Sequence, residues 1–254
     1  MKVTINPDKN IGKVIYVVEG NVFEPELLKE IFHDILNYEV YSYNKNNNVV
    51  TEFISTKNKY SRIFIVPAKN PTIKNLNIND DYFDCIFNEL NKYELDVDNT
   101  TLYLIFDRDR ESNRPTPILK NIQKFSNSRD NGETRNGLFL LSYPSAEAFY
   151  LNCFNDSTEF ENGENIKLYL NQVRKELTID NISEGTMDVI KKVELILKQD
   201  FRPSWLDNFK KENEEIFCYQ EKYFNKNKVY VTLSLLFMSL IDLGIVSISD
   251  DDNN

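Results

Sequence analysis

Three short runs decide most of what this chain can fold into: KVIYVV at 13–18, TLYLIF at 101–106 and GLFLL at 137–141. Each sets apolar or aromatic side chains at consecutive positions, so a strand built from it has two apolar faces. Such a strand is stable only when both faces are covered, the condition of a parallel sheet between helices. The intervening segments supply the cover. PELLKEIFHDIL (25–36) places apolar residues at 27, 28, 31, 32, 35 and 36, a helical period, with Pro25 suited to the first turn. DDYFDCIFNELNKYEL (80–95) is a second amphipathic helix, opened by Asp80 and Asp81 as cap residues. Tyr60–Val66 predicts another strand, paired with Val49–Ile54, and helices are expected over 117–125 and 146–154.

This alternation predicts an α/β domain over residues 1–155, a mostly parallel sheet flanked by helices. A helical C-terminal region, 156–254, follows as a docking or dimerisation surface. Helices are expected over 166–177, 186–197 and within 205–243, with a frayed tail at Ser249–Asn254.

Composition removes several chemistries. His33 is the only histidine, and the three cysteines, Cys85, Cys153 and Cys218, stand far apart with no CxxC spacing. A zinc site, a Ser-His-Asp triad and a Cys-His pair are therefore excluded, and the cysteines read as reduced residues of a cytoplasmic protein. Residues 1–13 are polar and lack the apolar core of a signal peptide. Val229–Ile248 is long enough to span a bilayer, but it holds Asp242, Gly244, Thr232 and serines at 234, 239 and 247. It reads as a buried core helix ending at Gly244, then a short strand over 245–248, with no membrane role. The net charge of −10 denies the chain an overall basic face, so any grip on nucleic acid must be local or supplied by a partner.

The strand ends carry the chemistry. The first run ends in Glu19-Gly20, the second in Asp107-Arg108-Asp109, and the third is followed by Ser145-Ala146-Glu147. Ligands of open parallel sheets sit at the carboxyl ends of the strands. If these strands are neighbours, four carboxylates crowd one edge, and they repel unless cations neutralise them. Hard oxygen ligands select Mg²⁺ or Mn²⁺, one or two ions, over zinc. Glu24 lies in the first turn of the following helix, where the dipole favours an acid. Arg108, Arg110 and Arg114, then Lys120 and Lys124, then Arg129 and Arg135, form a candidate basic rim for the substrate.

VIYVVEGNVFEPELL (14–28) and LYLIFDRDRE (102–111) resemble the two signature blocks of TOPRIM domains. GLFLLSYPSAEAFYL (137–151) is similar to the third block of standalone members, the RloB-like and OLD-type nucleases and the effector of PARIS-type anti-phage systems. The resemblance covers about 12–155. It implies Glu19 as the signature glutamate in acid/base or metal duty, Asp107 and Asp109 as metal ligands, and Ser145 with Glu147 as the element completing the site. Gly20 supports the turn. Glu24 stands five residues after Glu19, where the family pattern has a second acid four after, a position held here by Phe23. The resemblance also implies a metal-dependent nuclease acting on nucleic acid, RNA such as tRNA ahead of DNA. Its setting would be that of a toxic effector in abortive infection, controlled by a separate ATPase, since the chain has no GxxxxGK[ST]. A homodimer through the C-terminal helices is compatible with it.

Two other enzymes use Asp-x-Asp after a strand. Haloacid-dehalogenase-type phosphatases place it on the first strand with Thr or Val two residues later, where this chain has Glu111. Glycosyltransferases leave Glu19-Gly20 without a purpose. The non-enzymatic alternative is a degenerate TOPRIM-like module that only docks on its partner ATPase.

Overall fold

The computed structural model describes residues 1–20, 22–45, 48–67, 100–110, 114–129, 137–156, 158–173 and 176–249. The expected helix over 80–95, Cys85 and Arg135 lie outside them. In chain order the first elements are β1 (Lys2–Ile5), β2 (Lys13–Val18), α1 (Phe23–Lys29, continued by a π-helical turn Glu30–Ile35), β3 (Tyr38–Lys45), β4 (Asn48–Ser55) and β5 (Arg62–Pro67). There follow β6 (Thr100–Asp107), α2 (Pro115–Lys124), β7 (Leu138–Tyr143), α3 (Ala148–Cys153), α4 (Gly163–Val173) and α5 (Ile179–Leu197). A 3₁₀ turn, Pro203–Asn208, leads to α6 (Lys210–Asn227), β8 (Leu233–Ser234), α7 (Leu236–Asp242) and β9 (Val246–Ser249).

The chain is α/β. Seven strands form one sheet in the order β3-β4-β5-β2-β6-β7-β8, and β1 pairs with β9 in a separate ribbon. The four central strands, β5-β2-β6-β7, are parallel, and the pairs β3-β4, β4-β5 and β7-β8 are antiparallel. The doubly apolar runs take the interior as their composition requires. Val14 through Val18 are fully buried, and all six residues of β7 are buried. The apolar stripe of α1 covers the sheet through Leu27, Leu28, Ile31, Phe32, Ile35 and Leu36.

Strand order fixes where a ligand can sit. From β2 the chain passes to β5 on one side, then crosses to β6 on the other, and continues outward to β7. The reversal lies between β2 and β6, and a reversal of this kind opens a crevice at the carboxyl ends of the two strands. Register brings those ends level. Val18 pairs with Ile105, and Asp107 pairs with Ser142. The residues leaving β2, β6 and β7 therefore emerge side by side.

The C-terminal half departs from expectation in two places. The stretch 205–243 is not wholly helical, and the helix expected from 229 to Gly244 is shorter than its run, while the strand expected over 245–248 is present as β9. Only Leu236–Asp242 is helical there, preceded by β8 and followed by β9. Its polar residues explain the break. Ser234 pairs with Ser142 of β7, their hydroxyls 3.1 Å apart, and its amide donates to Asn152 Oδ1 at 2.9 Å. Thr232 donates to the Thr158 carbonyl at 2.7 Å. The sequence between α6 and α7 thus adds an edge to the sheet. Among the described residues no helix is long and apolar enough to cross a membrane. Cys153 is a buried free thiol and Cys218 an exposed one.

Candidate metal centre

Glu19 is the first residue past β2, and its amide donates to the Ile105 carbonyl at 3.2 Å, which holds it against β6. Its Oε2 accepts the Asp107 amide at 2.9 Å. The two residues that the sequence placed 88 positions apart are thus in direct contact. Asp107 turns toward β7, where Oδ1 accepts the Ala146 amide at 2.7 Å. Ala146 sits between Ser145 and Glu147 in the tight turn that enters α3.

Glu24 joins this group rather than standing at the surface as a helix-terminal charge. It is buried, and its Oε1 accepts the Gly20 amide at 3.1 Å. Gly20 is what makes this possible, since a Cβ there would come within 2.3 Å of Glu24 Oε2. The Glu-Gly pair is therefore a packing requirement of the second glutamate as well as a strand terminator.

Glu147 is 1% exposed, and neither of its carboxylate oxygens accepts a hydrogen bond of ordinary geometry. Its nearest counter-charge is Lys167 on α4, whose Nζ lies 3.4 Å from Oε1. Ser145 is also buried, and its Oγ has no hydrogen-bond partner. It packs against Gly163, where a Cβ would meet Ser145 Oγ at 2.8 Å.

Electrostatics report the crowding. Burial pushes Glu19 up to about 8, and the charges of Glu24 and Asp109 add to the rise, against the Asp107 amide. Burial raises Glu24 as well, with Glu147 adding and Lys167 opposing. Asp107 is held well above the usual carboxylate range by lost hydration, then by Glu24, Glu19 and Glu147. A buried carboxylate with a single, longer contact to an ammonium, surrounded by others that raise one another, is a group that a hard cation would satisfy. The donor set therefore fits Mg²⁺ or Mn²⁺. Among the described residues, no three such side chains are already gathered around one point.

The carboxylates give a pH signature. Between about 4.5 and about 8 the folded, cation-free chain keeps a proton on Glu19 that the unfolded chain has released. The folded state binds more protons, so stability falls as pH rises through that window. Chelator-treated protein is expected to lose melting temperature across it. Glu19→Gln, which keeps the acceptor for the Asp107 amide, should flatten the loss and gain up to about 4 kcal/mol at its upper end. Parallel melting curves for the two proteins would show the account wrong.

The basic rim is only partly as expected. Arg108 is not on it. The Arg108 amide continues the ladder by donating to the Ser142 carbonyl at 2.9 Å, and its side chain runs inward, fully buried. Its Nε meets Glu221 Oε1 at 2.7 Å, and the guanidinium lies over the Phe217 ring. Arg110 is partly exposed, 4.6 Å above the Phe224 ring centroid, and donates to Asn225 Oδ1 at 2.7 Å. A small cleft of about 120 Å³ is lined by Asp109, Arg110, Pro144, Asn162 and Phe224, and of the site carboxylates it touches Asp109 alone. Lys120 and Lys124 are exposed on α2, and Arg129 is committed to Asp242. Sequence reasoning missed Lys167 and Glu221, because neither belongs to a motif.

Comparison of the chain with protein-family models, with curated proteins and with solved structures finds no match.

Proposed function

We propose that this chain is a divalent-cation-dependent nuclease of TOPRIM type that hydrolyses phosphodiester bonds of nucleic acid, RNA such as tRNA ahead of DNA. The observation that carries the reading is the buried Glu147 carboxylate, whose nearest counter-charge is the half-exposed Lys167 ammonium, beside Asp107 and Glu24 at the reversal of strand order. Glu19, Asp107 and Glu147 would hold the cation, with Asp109 and Glu24 closing the group. The cation would supply positive charge to the scissile phosphate as a Lewis acid. Glu19, oriented by the Asp107 amide, would enter the loaded site as a carboxylate and release the proton that it keeps near neutrality in the cation-free chain. The cleft lined by Asp109 and Arg110 would be where a phosphate group of the substrate enters.

The choice of RNA, the role as a toxic effector in anti-phage defence and the control by a separate ATPase rest on the family resemblance. The net charge of −10 agrees with a chain that depends on a partner for part of its hold on phosphates.

The test is cleavage of total RNA and plasmid DNA by purified protein, with Mg²⁺ or Mn²⁺ and with chelator. Wild type is expected to cut only with the metal, and Glu19→Ala to cut neither substrate. Cleavage that persists in Glu19→Ala removes the site assignment.

A further inference from the structure

Lys167 belongs to no motif, yet the fold sets it against the carboxylates. Its Nζ stands 3.4 Å from Glu147 Oε1, and its charge also acts on Asp107 and Glu24. The placement is built into the backbone. α4 begins at Gly163, whose missing Cβ lets the helix start against Ser145. Lys167 follows four residues later, one turn along and on the same face. The residue that seats the helix and the residue that reaches Glu147 thus act from one face.

The two partners differ in freedom. The Glu147 side chain is 2% exposed, and that of Lys167 is 56% exposed. A fixed anion is therefore paired with a cation that can swing into water. A divalent ion ligated by Glu147 would stand about 2.0–2.6 Å from its oxygens. An ammonium kept at its present position would then face that ion within a few ångströms, and the two like charges repel. Sharing the carboxylate between them therefore costs cation affinity.

We infer that Lys167 is an internal counter-ion that holds Glu147 in competition with the divalent cation, and so sets the cation concentration at which the site loads. The inference rests on reading Glu19, Asp107 and Glu147 as a cation site. Without metal, the ammonium neutralises a nearly fully buried carboxylate and keeps the edge from carrying an uncompensated charge. Metal entry expels it toward solvent.

Equilibrium dialysis of Mn²⁺ against chelator-stripped full-length protein tests this. Lys167→Met and Lys167→Gln keep the length of the stem and remove the charge, and each is expected to bind Mn²⁺ about ten-fold more tightly than wild type. Lys167→Arg keeps the charge and should stay within about two-fold of wild type. Asp107→Asn serves as the control for binding at this site. If wild type binds Mn²⁺ and both neutral variants bind it equally or more weakly, the counter-ion role is overturned and the cation site stands. If wild type binds no better than Asp107→Asn, both fall.

Discussion

Asp107→Asn is expected to lower metal-dependent phosphodiester cleavage by about 10³-fold or more and, in the same protein, to raise the melting temperature without metal. The first effect follows from charge. A metal supplies several kcal/mol of transition-state stabilisation, and about 4 kcal/mol corresponds to about 10³ in rate. The second follows from the environment of the carboxyl group, which is held well above its ordinary range by burial and by Glu24, Glu19 and Glu147. Asparagine removes the disfavoured charge and keeps an oxygen for the Ala146 amide, which Asp107 now accepts at 2.7 Å. Stability and activity should therefore move in opposite directions, a common pattern where function keeps like charges together. A variant that loses both activity and stability would mean that Asp107 is a structural residue whose hydrogen bond matters more than its charge. Differential scanning with chelator, beside a cleavage assay with metal, separates the cases.

Arg108→Ala is expected to destabilise the chain by about 3–5 kcal/mol, the range for breaking a buried ion pair by removing one partner. Its guanidinium has no exposure, meets Glu221 at 2.7 Å and covers Phe217. Truncation leaves Glu221 with Arg110 at 3.8 Å and the Tyr230 hydroxyl at 3.4 Å, both too long to replace the lost bond. Arg110→Ala should differ in kind. Its ion pair is partly exposed and worth at most about 1 kcal/mol, so its loss should register mainly in nucleic-acid affinity and salt dependence. Denaturant unfolding of both variants decides the matter. If Arg108→Ala proves as stable as wild type and binds nucleic acid less well, the interior position of Arg108 is wrong.

That contrast shows where the sequence stopped being informative. Asp107-Arg108-Asp109-Arg110 reads as an even alternation of charge, and nothing local distinguishes its two arginines. The distinction comes from the ladder bond between the Arg108 amide and Ser142, 34 positions further along the chain. The central strands were legible because their two apolar faces permit only one kind of environment. The hairpin partner of β5 was legible too, since Val49–Ile54 falls within β4. Strand order was not, because adjacency of β2 and β6 is a property of crossovers and not of either segment. β8 could not be seen because it is two residues long and buried inside an apolar run. Of the site, Glu19, Asp107 and Glu147 could be listed from strand ends. The burial of Glu24 depends on the backbone space at Gly20, and Lys167 on the seating of α4, neither of which leaves a pattern in the chain.

The short strand β8 also bears on the order in which the protein can be made. Glu19, Asp107 and Glu147 have all been synthesised by the time the chain reaches α3, and Phe125–Ser126 already bridges the start of β7, but Ser142 and Tyr143 at its end are paired on the outer side only when Leu233–Ser234 arrives. A ribosome must add more than eighty further residues after Glu147 before that edge is paired. Throughout that interval the nascent chain presents an unpaired strand end beside its charged cluster, the kind of edge that recruits other strands. Slowing translation late in the message should therefore increase aggregation more than slowing it early.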